Sequence, residues 1–120
     1  MLIGSSGQSR IVYNPEFFTR LYEEYGDAGI ETILAHELGH AIDATTQVPW
    51  MKRDWTPELR ADAWTGCAIA KLNFSSRGLR SALDVLTKYP PESKPDWSAR
   101  RQALRSGFAQ CGGDTTKLGM

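Results

Sequence analysis

Twice along the chain a capping side chain stands directly before a proline, at Asn14-Pro15 and at Thr56-Pro57. That pairing suits the start of a helix. Asn or Thr accepts a bond from a first-turn N–H, and proline at the first helical position lacks the N–H that would otherwise go unpaired. With Gly26, Tyr89-Pro90-Pro91 and Gly107 as breakers, these starts divide the sequence into about five helical segments. The first runs from Asn14-Pro15 to Gly26 with Phe17, Phe18, Leu21, Tyr22 and Tyr25 as its apolar stripe. The second runs from about Gly29 to Ala44, and Ile30, Ile33, Leu34, Leu38 and Ala41 recur at helical spacing toward a core. The third starts at Thr56 and ends near Leu72, the fourth covers Ser76 to Lys88, and Asp96 caps a fifth that ends near Gly107.

Outside the helices, Arg10-Ile11-Val12-Tyr13 is β-branched and aromatic and follows the turn-forming Gly4-Ser5-Ser6-Gly7, which predicts a short strand or hairpin. The stretch holding Pro49, Trp50 and Trp55 reads as a surface loop whose tryptophans pack it against the body. The expected fold is therefore mainly α (α+β): one compact domain over 1–120, with a polar, glycine-rich and mobile tail over 112–120.

Charge narrows the partners. Fourteen basic residues balance fourteen acidic ones, and the nearest thing to a basic run, Arg100-Arg101 with Arg105, reads as a solvated helix face, so neither nucleic acid nor an anionic membrane is expected. No apolar stretch approaches a membrane span, and Met1-Leu2-Ile3 is too short for a targeting segment, which leaves a cytoplasmic location as the default expectation. Cys67 and Cys111 form no CxxC unit; they are either two buried thiols or a bridge, and a bridge implies export to an oxidising compartment.

The second helical segment contains Ala35-His36-Glu37-Leu38-Gly39-His40, and these are the only two histidines of the chain. Residues four apart on a helix stand one turn above each other, so both imidazoles project from one face toward one ion. Glu37 sits on the rim of that face, able to reach a water without ligating the metal, and Gly39 lets another backbone come close. Catalytic zinc takes three protein ligands and a water. With no third histidine, the remaining ligand is Asp, Glu or Cys. Glu58, eighteen residues beyond His40, lies in the first turn of the third helix with Asp62 one turn later on the same face. Glu58 is the expected third ligand, and Asp62 the acceptor for a histidine's other nitrogen. Asp43, one turn past His40, is either a further acceptor or an exposed carboxylate at the helix end.

His36 to His40 followed by Glu58-x-x-x-Asp62 resembles the gluzincin zinc peptidases. It is most similar to the branch with a Glu-x-x-Ala-Asp second motif, which includes the CAAX-prenyl and heat-shock membrane peptidases and the soluble minigluzincins. Lys94-Pro95-Asp96-Trp97-Ser98-Ala99-Arg100 is similar to a late segment of that branch, with Lys94 where a histidine is common. The resemblance implies a zincin-like domain holding one zinc ion and hydrolysing peptide bonds of a peptide or unfolded protein, with Glu37 activating the water. It implies a substrate laid beside an edge strand, for which Ile11, Val12 and Tyr13 are available. Arg100, Tyr89 and Tyr13 are candidates to steady the oxyanion. Three other readings stay open: a peptidase of the phage-repressor-cleaving type, whose second motif carries Asn where Asp62 stands; a closed structural zinc site with Cys67 as a fourth ligand; and a zinc-holding module blocked by its own tail from Gly112. Self-association that completes the cleft is also compatible with so small a chain.

Overall fold

The structure, a computed structural model, describes residues 2–5, 8–11, 15–90 and 95–119. An antiparallel hairpin opens it: β1 (Leu2–Ser5) pairs with β2 (Gln8–Ile11), Leu2 opposite Ile11 and Ser5 opposite Gln8. Four helices follow, α1 (Pro15–Asp43), α2 (Pro57–Leu72), α3 (Ser76–Lys88) and α4 (Trp97–Gln110), and a 3-10 turn at Thr115–Leu118. The chain is mainly helical, as its punctuation predicts. Thr56 caps α2 by accepting from the Leu59 N–H, and Ser75 caps α3 by accepting from the Gly78 N–H.

The first two expected helices are continuous as α1, with a break only at Gly26, whose φ of 70° and ψ of −162° lie outside helical values. Glycine adopts that conformation without a Cβ penalty, so the axis turns and the helix resumes at the next residue. The turn lets the first half of α1 lay Leu21 into a core with Ile33, Val85, Leu86 and Leu104, while the second half runs on to the histidines. Leu38 departs from expectation. It is 49% exposed, because α1 meets α2 through the face that carries Gly39. A Cβ at Gly39 would lie 3.1 Å from the Ala61 carbonyl oxygen and 3.0 Å from Trp64 Cβ, so the bare glycine sets how closely the two helices cross.

The most extensive helix contact joins α2 to α4. Gly66 lies against the Leu104 carbonyl and Gly107 against the Ala63 carbonyl, each too close for a side chain. Beside this seam Cys67 and Cys111 form a disulfide, which decides between the two states open to them. The segment after Gly112, expected to be a loose tail, instead packs on the body. Leu118 is buried in a second core with Ile69, Leu79, Ala82 and Phe108, because the 3-10 turn started by Asp114 aims it between α3 and α4. Trp55 is buried with Ala63 and Ala103, and Trp50 meets Trp64 edge to face, so the 44–56 loop is pinned by its tryptophans.

Candidate metal centre

His36, Glu37 and His40 sit on the second half of α1 where it crosses the first turns of α2. The crossing at Gly39 and Ala61 sets Glu58 and Asp62 against the two imidazoles. His40 Nε2 stands 3.2 Å from Glu58 Oε1, and His36 Nε2 stands 3.5 Å from Glu58 Oε2. One ligand atom each from His36, His40 and Glu58 falls within a sphere of mutual distances no greater than 4.8 Å. The imidazoles are nearly perpendicular, 87° apart with centroids at 5.1 Å, so the rings do not stack and their edges remain available to a shared centre.

The donor set suits zinc. Two imidazoles and a carboxylate form one of its catalytic ligand sets, and donors on a tetrahedral ion lie roughly 3.4 Å apart, close to the spacings across Glu58. Two atoms carry the test further. His36 Nε2 and Glu58 Oε2 are buried and have no hydrogen-bond partner, although they face each other. Orphaned buried polar atoms are costly, and a cation between them would satisfy both.

Electrostatics at His40 and Glu58 follow from the same contacts. The hydrogen bond to Glu58 raises the pKa of His40 above its usual 6.5 against the opposing effect of burial. Reciprocally, the bond to His40 lowers Glu58 below its usual 4.5.

Asp62 is fully buried and takes a different position from the one expected. Its Oδ1 lies 3.3 Å from His36 Nε2, the nitrogen that also faces Glu58, rather than serving the other ring nitrogen. Its negative charge is matched by Arg100, whose Nε donates to Oδ2 at 2.9 Å and whose Nη2 donates to Oδ1 at 3.0 Å. Arg100 Nη1 donates to the Leu86 carbonyl at 3.0 Å, and its guanidinium lies 5.6 Å from the Trp97 ring centroid. Arg100 is thus neither a solvated side chain nor an unattached cation. It is 2% exposed and ties α4 to α2 and α3.

A cleft of about 170 Å³ opens at the cluster, reached by His36, Glu37, His40 and Glu58 and walled by apolar side chains. Tyr89 lines it, its ring edge-on to Phe17 at 5.2 Å, and Arg100 reaches its lining as well. Ile11 ends β2, whereas Val12, Tyr13 and Lys94 lie outside the described residues. Asp43 is not exposed; its carboxylate accepts from Arg60 Nε at 2.7 Å. No residue of the 112–119 segment is among those lining the cleft. Cys67 is engaged in its disulfide and cannot serve as a fourth ligand.

The cleft walls are not marked by any motif in the sequence. Ile33 carries a usable signal, since it precedes His36 by three residues and shares its helical face. Phe17 and Leu86 carry none, because each comes from an element whose position depends on packing. No family model matches the chain, and neither the curated proteins nor the solved structures contain a match to it.

Proposed function

We propose that the chain is a zinc-dependent endopeptidase of gluzincin type, with His36, His40 and Glu58 as ligands and Glu37 as the general base. The observation that carries this reading is the convergence of those three ligands, contributed by two helices, with Glu37 on the same cleft. A structural zinc site has no use for a carboxylate at position 37 and favours cysteine-rich, closed ligand sets.

His36, His40 and Glu58 would hold the zinc ion, which would supply Lewis acidity toward the scissile carbonyl and make water a nucleophile near neutral pH. The carboxylate of Glu37 accepts the proton of the attacking water and delivers it to the nitrogen of the leaving amine. Hydrolysis then balances: water adds across the C–N bond, giving a carboxylate and an amine. Asp62, fixed by Arg100, places a buried carboxylate 3.3 Å from His36 Nε2, adding negative charge beside the ligand set. Tyr89 is better placed than Arg100 to steady the developing oxyanion, since Arg100 commits three donors to Asp62 and Leu86. The substrate is a peptide or an unfolded protein segment, which fits a cleft open to solvent on the surface of a small domain. The Cys67–Cys111 disulfide favours an oxidising compartment. Among the described residues no helix is long and apolar enough to cross a membrane.

The test is zinc content and cleavage of an unstructured protein measured together, in the native chain and in Glu37→Gln. One zinc per chain in both, with cleavage only by the native chain, is the expected result. Zinc in both with cleavage by neither would reduce the site to a metal-holding one. Absence of zinc from both after zinc is supplied would overturn the reading.

A further inference from the structure

Beyond the metal cleft, the 44–56 loop folds against the ends of α1 and α2 around a larger cavity of about 810 Å³ that shares none of its lining with the first. Its charge is lopsided. Asp43 and Arg60 neutralise each other at 2.7 Å, and Arg60 is further anchored by donating to the Trp55 carbonyl at 2.6 Å. Lys52 and Arg53 also line the cavity, are exposed, and have no ion-pair partner among the described residues. Asp54, next in the chain, is not part of the lining. In a chain whose net charge is zero, the cavity therefore concentrates two uncompensated cations. Val48, Pro49 and Met51 give it an apolar side.

We propose that this cavity is an accessory binding site for acidic polypeptide segments, with Lys52 and Arg53 taking side-chain carboxylates and Val48, Pro49 and Met51 the apolar neighbours. Two features make the ligand a polypeptide rather than a small anion. The cavity is far larger than a single carboxylate or phosphate, and its mix of cations with an apolar side matches alternating acidic and apolar side chains. It also begins one helical turn past His40, at Asp43. That offset is about 4.5 Å along the axis, which a few residues of extended chain at about 3.3 Å each span easily. A segment held here is thereby kept near the metal cleft. The Asp43–Arg60 pair fixes the two helix ends that frame the cavity, so the loop cations project from a rigid base.

Direct binding tests this without reference to hydrolysis, so its failure is distinguishable from failure of the peptidase reading. A short fluorescent peptide of alternating Glu and Leu is titrated by anisotropy against Glu37→Gln protein, which keeps the peptide intact. Its counterpart with Gln for Glu, and inorganic phosphate as competitor, complete the set. The Glu peptide should bind and the Gln peptide should not, and raising the salt to about 0.3 M should weaken the complex several-fold. Combined Lys52→Glu and Arg53→Glu should weaken it roughly tenfold or more, with zinc content unchanged. If that variant fails to fold by circular dichroism, Lys52→Gln with Arg53→Gln serves in its place. Equal affinity for both peptides, or no loss in the double variants, would overturn the proposal. Displacement by phosphate at concentrations comparable to the peptide's would also overturn it, in favour of a small-anion site.

Discussion

Arg100 grips Asp62 with two hydrogen bonds, 2.9 Å from Nε to Oδ2 and 3.0 Å from Nη2 to Oδ1, across 38 positions of sequence. Because Asp62 Oδ1 is also 3.3 Å from His36 Nε2, the pair links α4 through α2 to His36 on α1. Both side chains are almost wholly removed from solvent. Removing one partner leaves a buried, uncompensated charge, which costs about 3–5 kcal/mol. Arg100→Leu is expected to lose stability on that scale in urea denaturation. Arg100→Lys should lose less, since an ammonium keeps the charge but not the two parallel bonds.

Asp62→Asn tests the other end of the linkage. It removes the carboxylate charge beside His36 Nε2 and leaves Arg100 without its counter-charge, while keeping the side chain's shape. Zinc affinity should fall, because a negative charge next to the two imidazoles no longer favours a bound cation. Glu58→Ala, which deletes a proposed ligand, should lower it further. Competition with a fluorescent zinc chelator measures both, and an Asp62→Asn protein that binds zinc as tightly as the native chain would contradict the assignment.

Two glycine substitutions separate packing from backbone conformation. Gly107→Ala drives a methyl into the Ala63 carbonyl and forces α4 off α2, with an expected cost of about 1–3 kcal/mol or more. At Gly26 nothing lies within 4 Å of the position a methyl would take, but φ is +70°. The cost of Gly26→Ala is therefore that of backbone alone, in a positive-φ, extended-ψ region adopted essentially only by glycine, about 1–3 kcal/mol. Thermal melts of the two variants, with the native chain beside them, read the difference. Gly107→Ala should also loosen the Arg100 contact and reduce zinc affinity, which Gly26→Ala should not.

The metal-free protein should show a stability plateau in pH. His40 has a raised folded pKa, so its contribution is complete below its unfolded value of 6.5 and is lost as pH rises through the folded value. Glu58 has a lowered folded pKa, so its contribution is complete above 4.5 and is lost as pH falls through the folded value. Both are therefore in place between 4.5 and 6.5. Urea midpoints of the metal-free chain should be highest there, and the His40 ring protons should titrate above 6.5 in NMR spectra. Stoichiometric zinc should abolish that titration and release protons, since the metal takes the neutral imidazole.

Reducing the Cys67–Cys111 bridge frees a chain segment of 44 residues that includes all of α3. Cross-links closing loops of that size contribute about 2–4 kcal/mol, largely by restricting the unfolded chain. Cys67→Ser with Cys111→Ser should lower the unfolding free energy read from urea denaturation by that amount. Zinc binding should persist at saturating metal, because the glycine-lined seam still holds α4 against α2.

The local chemistry was legible in the chain itself. The helix start at Pro57 was written in its Thr56 cap and proline, because a cap acts over three or four residues and needs no tertiary partner. The pairing of His36 with His40 was equally plain, since one helical turn fixes it. Glu58 and Asp62 were reachable by inference from their own turn spacing, once the ligand count required a third donor. What the spacing could not decide is which surfaces meet. Leu38 shares the periodicity of Ile33 and yet faces solvent, because Gly39 and not Leu38 marks the crossing with α2. Leu118 sits in a polar, glycine-rich stretch and yet is buried, because a gap between α3 and α4 receives it. Arg100 and Asp62 find each other only after four helices have packed, and the cavity that exposes Lys52 and Arg53 exists only as the space left between a loop and two helix ends. Hydrogen-bonded turns and caps are short-range and read directly from neighbouring residues. Burial, buried charge pairing and cavity shape depend on contacts between distant segments, and those only the tertiary structure decided.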